Sequence, residues 1–516
     1  MRRLAVLLAC LVLTVAPGFS APPKNANELR TAKAFDSYKS RGPAALYSFL
    51  EEFPKGADLH VHLSGAVYAE TFIRDAGEDG LCVDTVALKL AKPPCSGNAI
   101  PATALSGNMT SAHQDLYDRL IDAMSMRSFV PTTGFSGHDQ FFATFGRFGG
   151  LEGRHVGEWV DEVASRAGEQ NQQYLELMNT PPFGHAAQIA YAAGWNPDLA
   201  AFRQQLLDRG LRDEVAADRD NARQIEARRH ELEHCGTPKA TIGCRVETRY
   251  IYQVLRGNPA VQVFAQTLLG FETVQASMDA HDNTWVGINF VMPEDGFISM
   301  RDYTLQMTML DYLHSVYPRV HISLHAGELA PGLVPPEGLR FHIRQAVELG
   351  HAERIGHGVD VMYEGDAPGL LKEMAQKHVM VEVNLSSNEG ILGVGGDAHP
   401  FQSYRLAQVP VALSTDDEGV SRIDITHEYV RAAIDYHLSY TDMKTLARTG
   451  MEHNFLPGAS LWAKPDVFGT TANACKADAL GAEKPSAGCK AFLEGSEKAA
   501  AQWEQERRFR AFEAKW

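Results

Sequence analysis

Four short segments place metal-ligating or proton-transferring side chains at the ends of apolar runs. The first is Asp58-Leu59-His60-Val61-His62-Leu63. Side chains two apart on a strand face the same way, so His60 and His62 share one face, with Leu59, Val61 and Leu63 on the other. Two imidazoles on one face suit a metal ion. The second is Ser323-Leu324-His325-Ala326-Gly327-Glu328. His325 ends an apolar strand, Gly327 permits a tight turn and close approach by a substrate, and Glu328 opens the following loop. A carboxyl beside a metal and away from bulk water has a raised pKa and can hold a proton to donate. The third is Arg354-Ile355-Gly356-His357-Gly358, where flanking glycines clear space around the His357 ring. The fourth is Leu413-Ser414-Thr415-Asp416-Asp417, an apolar strand ending in two carboxylates that need a cation or donor opposite. Each segment alone has a structural explanation, as core histidines, helix caps or a tight turn. Together, His60, His62, His325 and Asp416 make a nitrogen-rich set with a position left for water. That set suits one Zn2+ per chain best, with Fe2+, Mn2+ or Co2+ chemically admissible.

The elements that must position these groups follow from the hydrophobic pattern. Candidate strands are Asp58–Leu63, Tyr174–Met178, Arg249–Leu255, Trp285–Val291, Val320–His325, Arg354–His357, Val379–Leu385 and Val409–Ser414. Eight short apolar strands alternating with longer helical stretches predict an α/β fold, a (β/α)8 TIM barrel with helical and loop insertions. The four chemical segments then fall at the ends of strands one, five, six and eight, where barrel enzymes carry catalytic groups. The expected organisation is a signal peptide over 1–20, an N-terminal helical segment over 21–54, the barrel over 55–463 and a C-terminal extension over 464–516. Loop-rich residues 80–137 and charged residues 198–245 are read as insertions in the barrel.

Composition narrows the function classes. Lys and Arg total 48 against 64 Asp and Glu, a formal net charge of −16. That balance argues against an extended nucleic-acid footprint and does not forbid a small neutral ligand. Arg2 and Arg3 precede a twelve-residue apolar run, Leu4 to Val15, and small residues follow near Ala21. The pattern predicts an exported protein, periplasmic or extracellular, cleaved near residue 20. No later run is long enough to span a bilayer. The six cysteines beyond that leader fall as neighbours, Cys82 with Cys95, Cys235 with Cys244 and Cys475 with Cys489, and are expected to form three local disulfides.

The ordered segments resemble the adenosine deaminase family of the metal-dependent amidohydrolases. The residues that carry the resemblance are Pro54 to Gly65, His325-Ala326-Gly327-Glu328, Arg354 to Gly358 and Ser414 to Asp417, with weaker likenesses at Phe141 to Phe145, Tyr174 to Leu177 and Glu382 to Asn388. The similarity runs over about residues 45–460. The leader, N-terminal helix and cysteines are nearest to the secreted, growth-factor-related branch. The resemblance implies that His60, His62, His325 and Asp416 hold zinc, that His357 orients the attacking water and takes its proton, and that Glu328 protonates purine N1. It further implies that Asp417 hydrogen-bonds N7 and that Ser64, Gly327, Phe141 and Phe145 contact a purine nucleoside. The implied reaction is hydrolytic deamination of adenosine or 2′-deoxyadenosine. Another 6-aminopurine, such as adenine or an N6-substituted purine, and a catalytically silent nucleoside-binding protein are the alternatives, and homodimerisation is left open. Three departures bear on specificity. Ser64 stands where many members carry an acidic residue for the ribose 5′-hydroxyl, Met292-Pro293 stands where a glycine usually meets purine N3, and Glu418-Gly419 replaces the usual proline after the aspartate pair. The cytidine-type zinc motif, His-x-Glu with Pro-Cys-x-x-Cys, is absent from the sequence.

Overall fold

A computed structural model describes residues 25–107, 110–151 and 153–516. The expected leader lies outside the described residues. All eight predicted strands are present: β1 Gly56–His62, β2 Gln172–Asn179, β3 Glu247–Leu255, β4 Trp285–Val291, β5 His321–Ala326, β6 Arg354–His357, β7 Met380–Val383 and β8 Val411–Leu413. They pair in parallel and in chain order, each strand beside its sequence neighbour. Helices cover the outside, so most strand residues are buried on both faces, and β4 is buried along its whole length. This is why the strands read as apolar runs with few polar interruptions. The sheet closes where Val61 bridges Asp416 in parallel. The Asp416 N–H donates to the His60 carbonyl at 2.9 Å, and the His62 N–H donates to the Asp416 carbonyl at 3.0 Å. The chain is a closed (β/α)8 barrel.

The connection from β1 to β2 carries most of the first insertion. It contains a three-stranded antiparallel sheet of Cys82–Asp84, Lys89–Ala91 and Ala99–Pro101, which the sequence pattern presents as loop. Three-residue strands are too short to show an alternating pattern, so they carry no periodic signal. Helices Ala69–Glu78, Gln114–Ala123 and Gly137–Phe145 complete this unit around a core that includes Phe72, Val83, Leu120 and Phe141. The last of these helices starts with a reciprocal cap between Ser136 and Asp139. It lies so close to the Leu385–Leu392 helix that a Cβ on Gly137 would meet the Gly390 carbonyl at 1.9 Å.

The two ends of the described residues meet beside the start of β1. Helices Ala26–Ser40 and Pro43–Leu50 pack on the C-terminal helix Glu497–Glu513, with the Phe49 and Phe512 rings 5.3 Å apart. Lys444 is buried between Glu28 and Glu513, at 2.7 and 2.6 Å. The three disulfides pair as expected: Cys82–Cys95, Cys235–Cys244 and Cys475–Cys489. Among the described residues no helix is long and apolar enough to cross a membrane.

Candidate active site

At the C-terminal end of the barrel, β1 presents His60 and His62, β5 presents His325, and the turn after β8 presents Asp416. Their ligand atoms lie within 4.8 Å of one another. Asp416 Oδ1 is 3.3 Å from Nε2 of His60 and 3.3 Å from Nε2 of His62. The Nε2 atoms of His62 and His325 are 3.0 Å apart. Each imidazole is oriented from behind through Nδ1. For His60 the acceptor is Glu382 Oε2 at 2.6 Å, for His62 it is Gln253 Oε1 at 3.0 Å, and for His325 it is Asn289 Oδ1 at 2.7 Å. An N–H held at Nδ1 leaves the Nε2 lone pair free, so three lone pairs and a carboxylate point into one space. His60 Nε2 is buried with no hydrogen-bond partner. Converging unprotonated acceptors in a buried site repel one another unless a cation sits between them. The donor set therefore fits a divalent metal ion.

Glu382 is itself anchored by Arg354 Nε at 2.7 Å and by the Ser323 hydroxyl at 2.9 Å. Gly356 makes room for this arrangement, because a Cβ there would meet the His60 ring at 2.5 Å. The glycine before His357 thus clears space for a ligand histidine on a neighbouring strand, a different reason from the one expected.

Three further groups surround the metal-ligating set. His357 accepts φ +70°, and its Nδ1 is 2.8 Å from Asn388 Oδ1, while Nε2 is buried and unpartnered. Burial, with the neighbouring His60, holds this ring down at about 4, so it is neutral and has a free lone pair at Nε2 near neutral pH. Burial, together with the charges of Asp416 and Glu294, pushes the Glu328 carboxyl up to about 8. Burial and the adjacent Asp416 charge likewise raise Asp417. Its Oδ1 is buried without a hydrogen-bond partner, and Gly65 leaves the space it occupies.

The loop carrying Glu328 is fixed by a residue that sequence reasoning missed. Glu294 accepts the Gly327 N–H at 3.0 Å and the Glu328 N–H at 2.8 Å. It is also paired with His342 Nδ1 at 2.5 Å and lies 4.0 Å from Arg256. Burial alone would raise this carboxyl, but His342, Arg256 and the Gly327 N–H hold it at about 2.

A cavity of about 350 Å3 opens onto these groups. His62, His325, Glu328, His357, Asp416 and Asp417 form one end. Phe141, Phe142 and Phe145 of the capping insertion form one wall, and Leu255, Val291, Met292 and Pro293 form another.

The sequence comparisons bear on what this site belongs to. The family described as adenosine deaminase matches residues 230–461, a stretch that contains His325, Glu328, His357, Asp416 and Asp417. Over that stretch, under half of its length, the chain is similar to the adenosine deaminase family. Adenosine deaminases from two strains of Clostridium perfringens are each 33% identical to it over 135 residues, 26% of this chain and 37% of the relative. The match thus spans little more than a third of the length of these curated relatives. Among solved structures, an adenine deaminase from Arthrobacter aurescens is similar at 16% identity over 78% of this chain and 94% of that one, with a TM-score of 0.49. The N6-methyl-AMP deaminase of Arabidopsis thaliana is similar at 20% identity over 80% and 94%, with a TM-score of 0.47.

The structure brings together nearly all the residues singled out from sequence. Ser64, Phe141 and Phe145 line the cavity with the six groups at its chemical end. Gly327 does not line it. At φ +75° it turns the chain beneath the site, where a Cβ would meet Asp360 at 2.5 Å and Ile343 at 2.7 Å. Met292, at the place of the expected glycine, lies at φ +91° and lines the cavity. Phe142 and Gln253 were missed as lining residues, and Glu382, Asn289 and Asn388 were missed as orienting residues.

Proposed function

We propose that the chain is a metal-dependent hydrolase that converts adenosine or 2′-deoxyadenosine and water to inosine or 2′-deoxyinosine and ammonia. One observation carries this reading: three Nδ1-anchored histidines and Asp416 converge beside a carboxyl that holds its proton and a neutral imidazole, at the end of a nucleoside-sized pocket. His60, His62, His325 and Asp416 would hold one Zn2+, which when bound lowers the pKa of a coordinated water.

The protein groups then divide the proton work. Glu328 donates its proton to purine N1, which draws electrons from C6 and opens it to addition. His357 orients the attacking water and removes its proton through Nε2. Asp417, kept protonated by burial, donates a hydrogen bond to the N7 lone pair and fixes the ring plane. His357 passes the water's proton to the amino group, the C6–N bond breaks as ammonia leaves, and the C6 hydroxyl returns a proton to Glu328 as it becomes the carbonyl. Each group sits where its environment stabilises the protonation state its task requires.

Among the described residues no lysine or arginine lines the cavity, which supports a nucleoside over a nucleotide. Three disulfides support an oxidising compartment and so export, in keeping with the leader-like first twenty residues. The test is the ultraviolet change as adenosine becomes inosine, with adenine and AMP as comparison substrates and a chelator-treated control. Conversion of adenosine abolished by chelation supports the reading. Turnover confined to adenine or AMP, or none, overturns it.

A further inference from the structure

The residues that follow the aspartate pair, Glu418-Gly419, hold two turns of the barrel seam together. β1 leads into the short helix Leu63–Ala66, and the turn after β8 leads into the short helix Glu418–Ser421. The two segments lie in close contact. A Cβ on Gly65 would lie 1.5 Å from Asp417 Oδ1, and a Cβ on Gly419 would lie 2.1 Å from the Val67 carbonyl oxygen. The glycines give this approach room but no attraction. The attraction comes from Arg166, on the helix Val156–Glu169 that precedes β2. Its Nη2 donates to the Ala66 carbonyl at 2.5 Å and to Glu418 Oε1 at 2.7 Å, and its Nε donates to the same Glu418 oxygen at 2.9 Å. One guanidinium is therefore bonded to the residue after Gly65 and to the residue after Asp417. Its Nη1 donates to Glu162 Oε1 at 3.2 Å, which also accepts the Tyr68 N–H at 3.1 Å, and the Tyr68 ring covers the guanidinium at 4.4 Å.

Arg166 is not among the residues that line the cavity, and its side chain is 12% exposed against 8% for Glu418. A carboxylate so far from water needs a cation, and a proline in its place would offer the guanidinium no acceptor side chain. Asp417 does line the cavity, and its Oδ1 has no hydrogen-bond partner. The position of that oxygen is thus set by the backbone on either side of it rather than by a bond of its own. We propose that Arg166 is a positioning residue, which by tying Ala66 to Glu418 seats the Asp417 carboxyl beside Gly65 at the cavity. The kinetic part of the test rests on the deaminase reading. A misplacement of about 1 Å in a reacting site can lower turnover about a hundredfold.

The experiment measures kcat and KM on adenosine, with metal content, for the full chain carrying Arg166→Met, Asp417→Ala or both. Arg166→Met is expected to lower kcat about a hundredfold at unchanged metal content. In the Asp417→Ala background it should cost no more than about twofold further, because a residue that acts through Asp417 has nothing left to position. Arg166→Lys keeps a cation beside Glu418 but cannot bond both segments as the guanidinium does. It serves where the methionine variant fails to fold, with a loss of about tenfold and the same dependence on Asp417. Arg166 variants within threefold of the native chain, or with equal losses in both backgrounds, overturn this inference and leave the deaminase reading standing. A crystal structure of Arg166→Lys gives a second readout, independent of turnover. The Asp417 carboxyl is expected to have left its place beside Gly65, and an unmoved carboxyl overturns the inference. If the native chain turns over no aminopurine, the deaminase reading falls and the crystal structure alone decides the role of Arg166.

Discussion

Asp416 holds His60 twice, through a backbone N–H to carbonyl bond of 2.9 Å and through a side-chain oxygen 3.3 Å from Nε2. The first contact belongs to the seam between β8 and β1 and the second to the metal-ligating set. Closing the barrel and building the site are thus the same event in this chain. Asp416 adopts φ +62°, a conformation rare for residues other than glycine, in order to do both.

Metal removal should therefore weaken the fold as well as the activity. A metal held at about a thousand times its dissociation constant stabilises the folded state by about 4 kcal/mol. Chelation is expected to lower the melting temperature by several degrees, and one equivalent of zinc to restore it. Calorimetry with and without chelator checks this, and an unchanged melting temperature would show the seam to be independent of the metal.

Glu328→Gln keeps the shape of the side chain and removes its proton. Loss of a general acid lowers turnover about 10²- to 10⁴-fold. The variant is expected to bind one metal per chain, as measured by elemental analysis, with kcat on adenosine falling by at least a hundredfold.

Glu294 supplies a pH-dependent part of the stability. Its carboxyl is held at about 2 in the folded chain, against 4.5 for the ordinary group. A carboxylate depressed in this way contributes fully above its unfolded value, and the contribution is lost as pH falls from 4.5 through 2. The shift corresponds to about 3 kcal/mol. Urea midpoints followed from pH 6 to pH 2.5 should fall more steeply for the native chain than for Glu294→Gln. At pH 6 the variant should also be less stable and less active, because the Gly327 and Glu328 N–H groups lose a charged acceptor.

Gly65→Ala tests the placement of Asp417. A Cβ at position 65 would sit 1.5 Å from Asp417 Oδ1, so the carboxyl must swing out of its position. Turnover is expected to fall at least a hundredfold with little change in metal content. Activity within threefold of the native chain would remove Asp417 from the substrate-contacting set.

The chemistry-bearing residues were legible because each sits at the end of an apolar strand, where the alternation breaks into His, Asp or Glu. Three of the orienting residues were harder to read because they lie inside strands. Glu382 stands between Val381 and Val383, Gln253 between Tyr252 and Val254, and Asn289 between Ile288 and Phe290. A lone polar residue in a strand buried on both faces must find a buried partner, and that is the signal that could have pointed to them. Glu294 follows Pro293 in a loop, where no periodicity marks a residue as buried. Its role depends on His342, Arg256 and the Gly327 turn arriving from three distant parts of the chain.

The three disulfides join residues 13, 9 and 14 positions apart, and none links one barrel strand to another. Six cysteines can be paired in fifteen ways. The native pairing is the one that joins each cysteine to its neighbour along the chain, where the loop to be closed is shortest and loses least entropy. Each pair can therefore close within its own short loop, without waiting for a partner from a distant part of the chain.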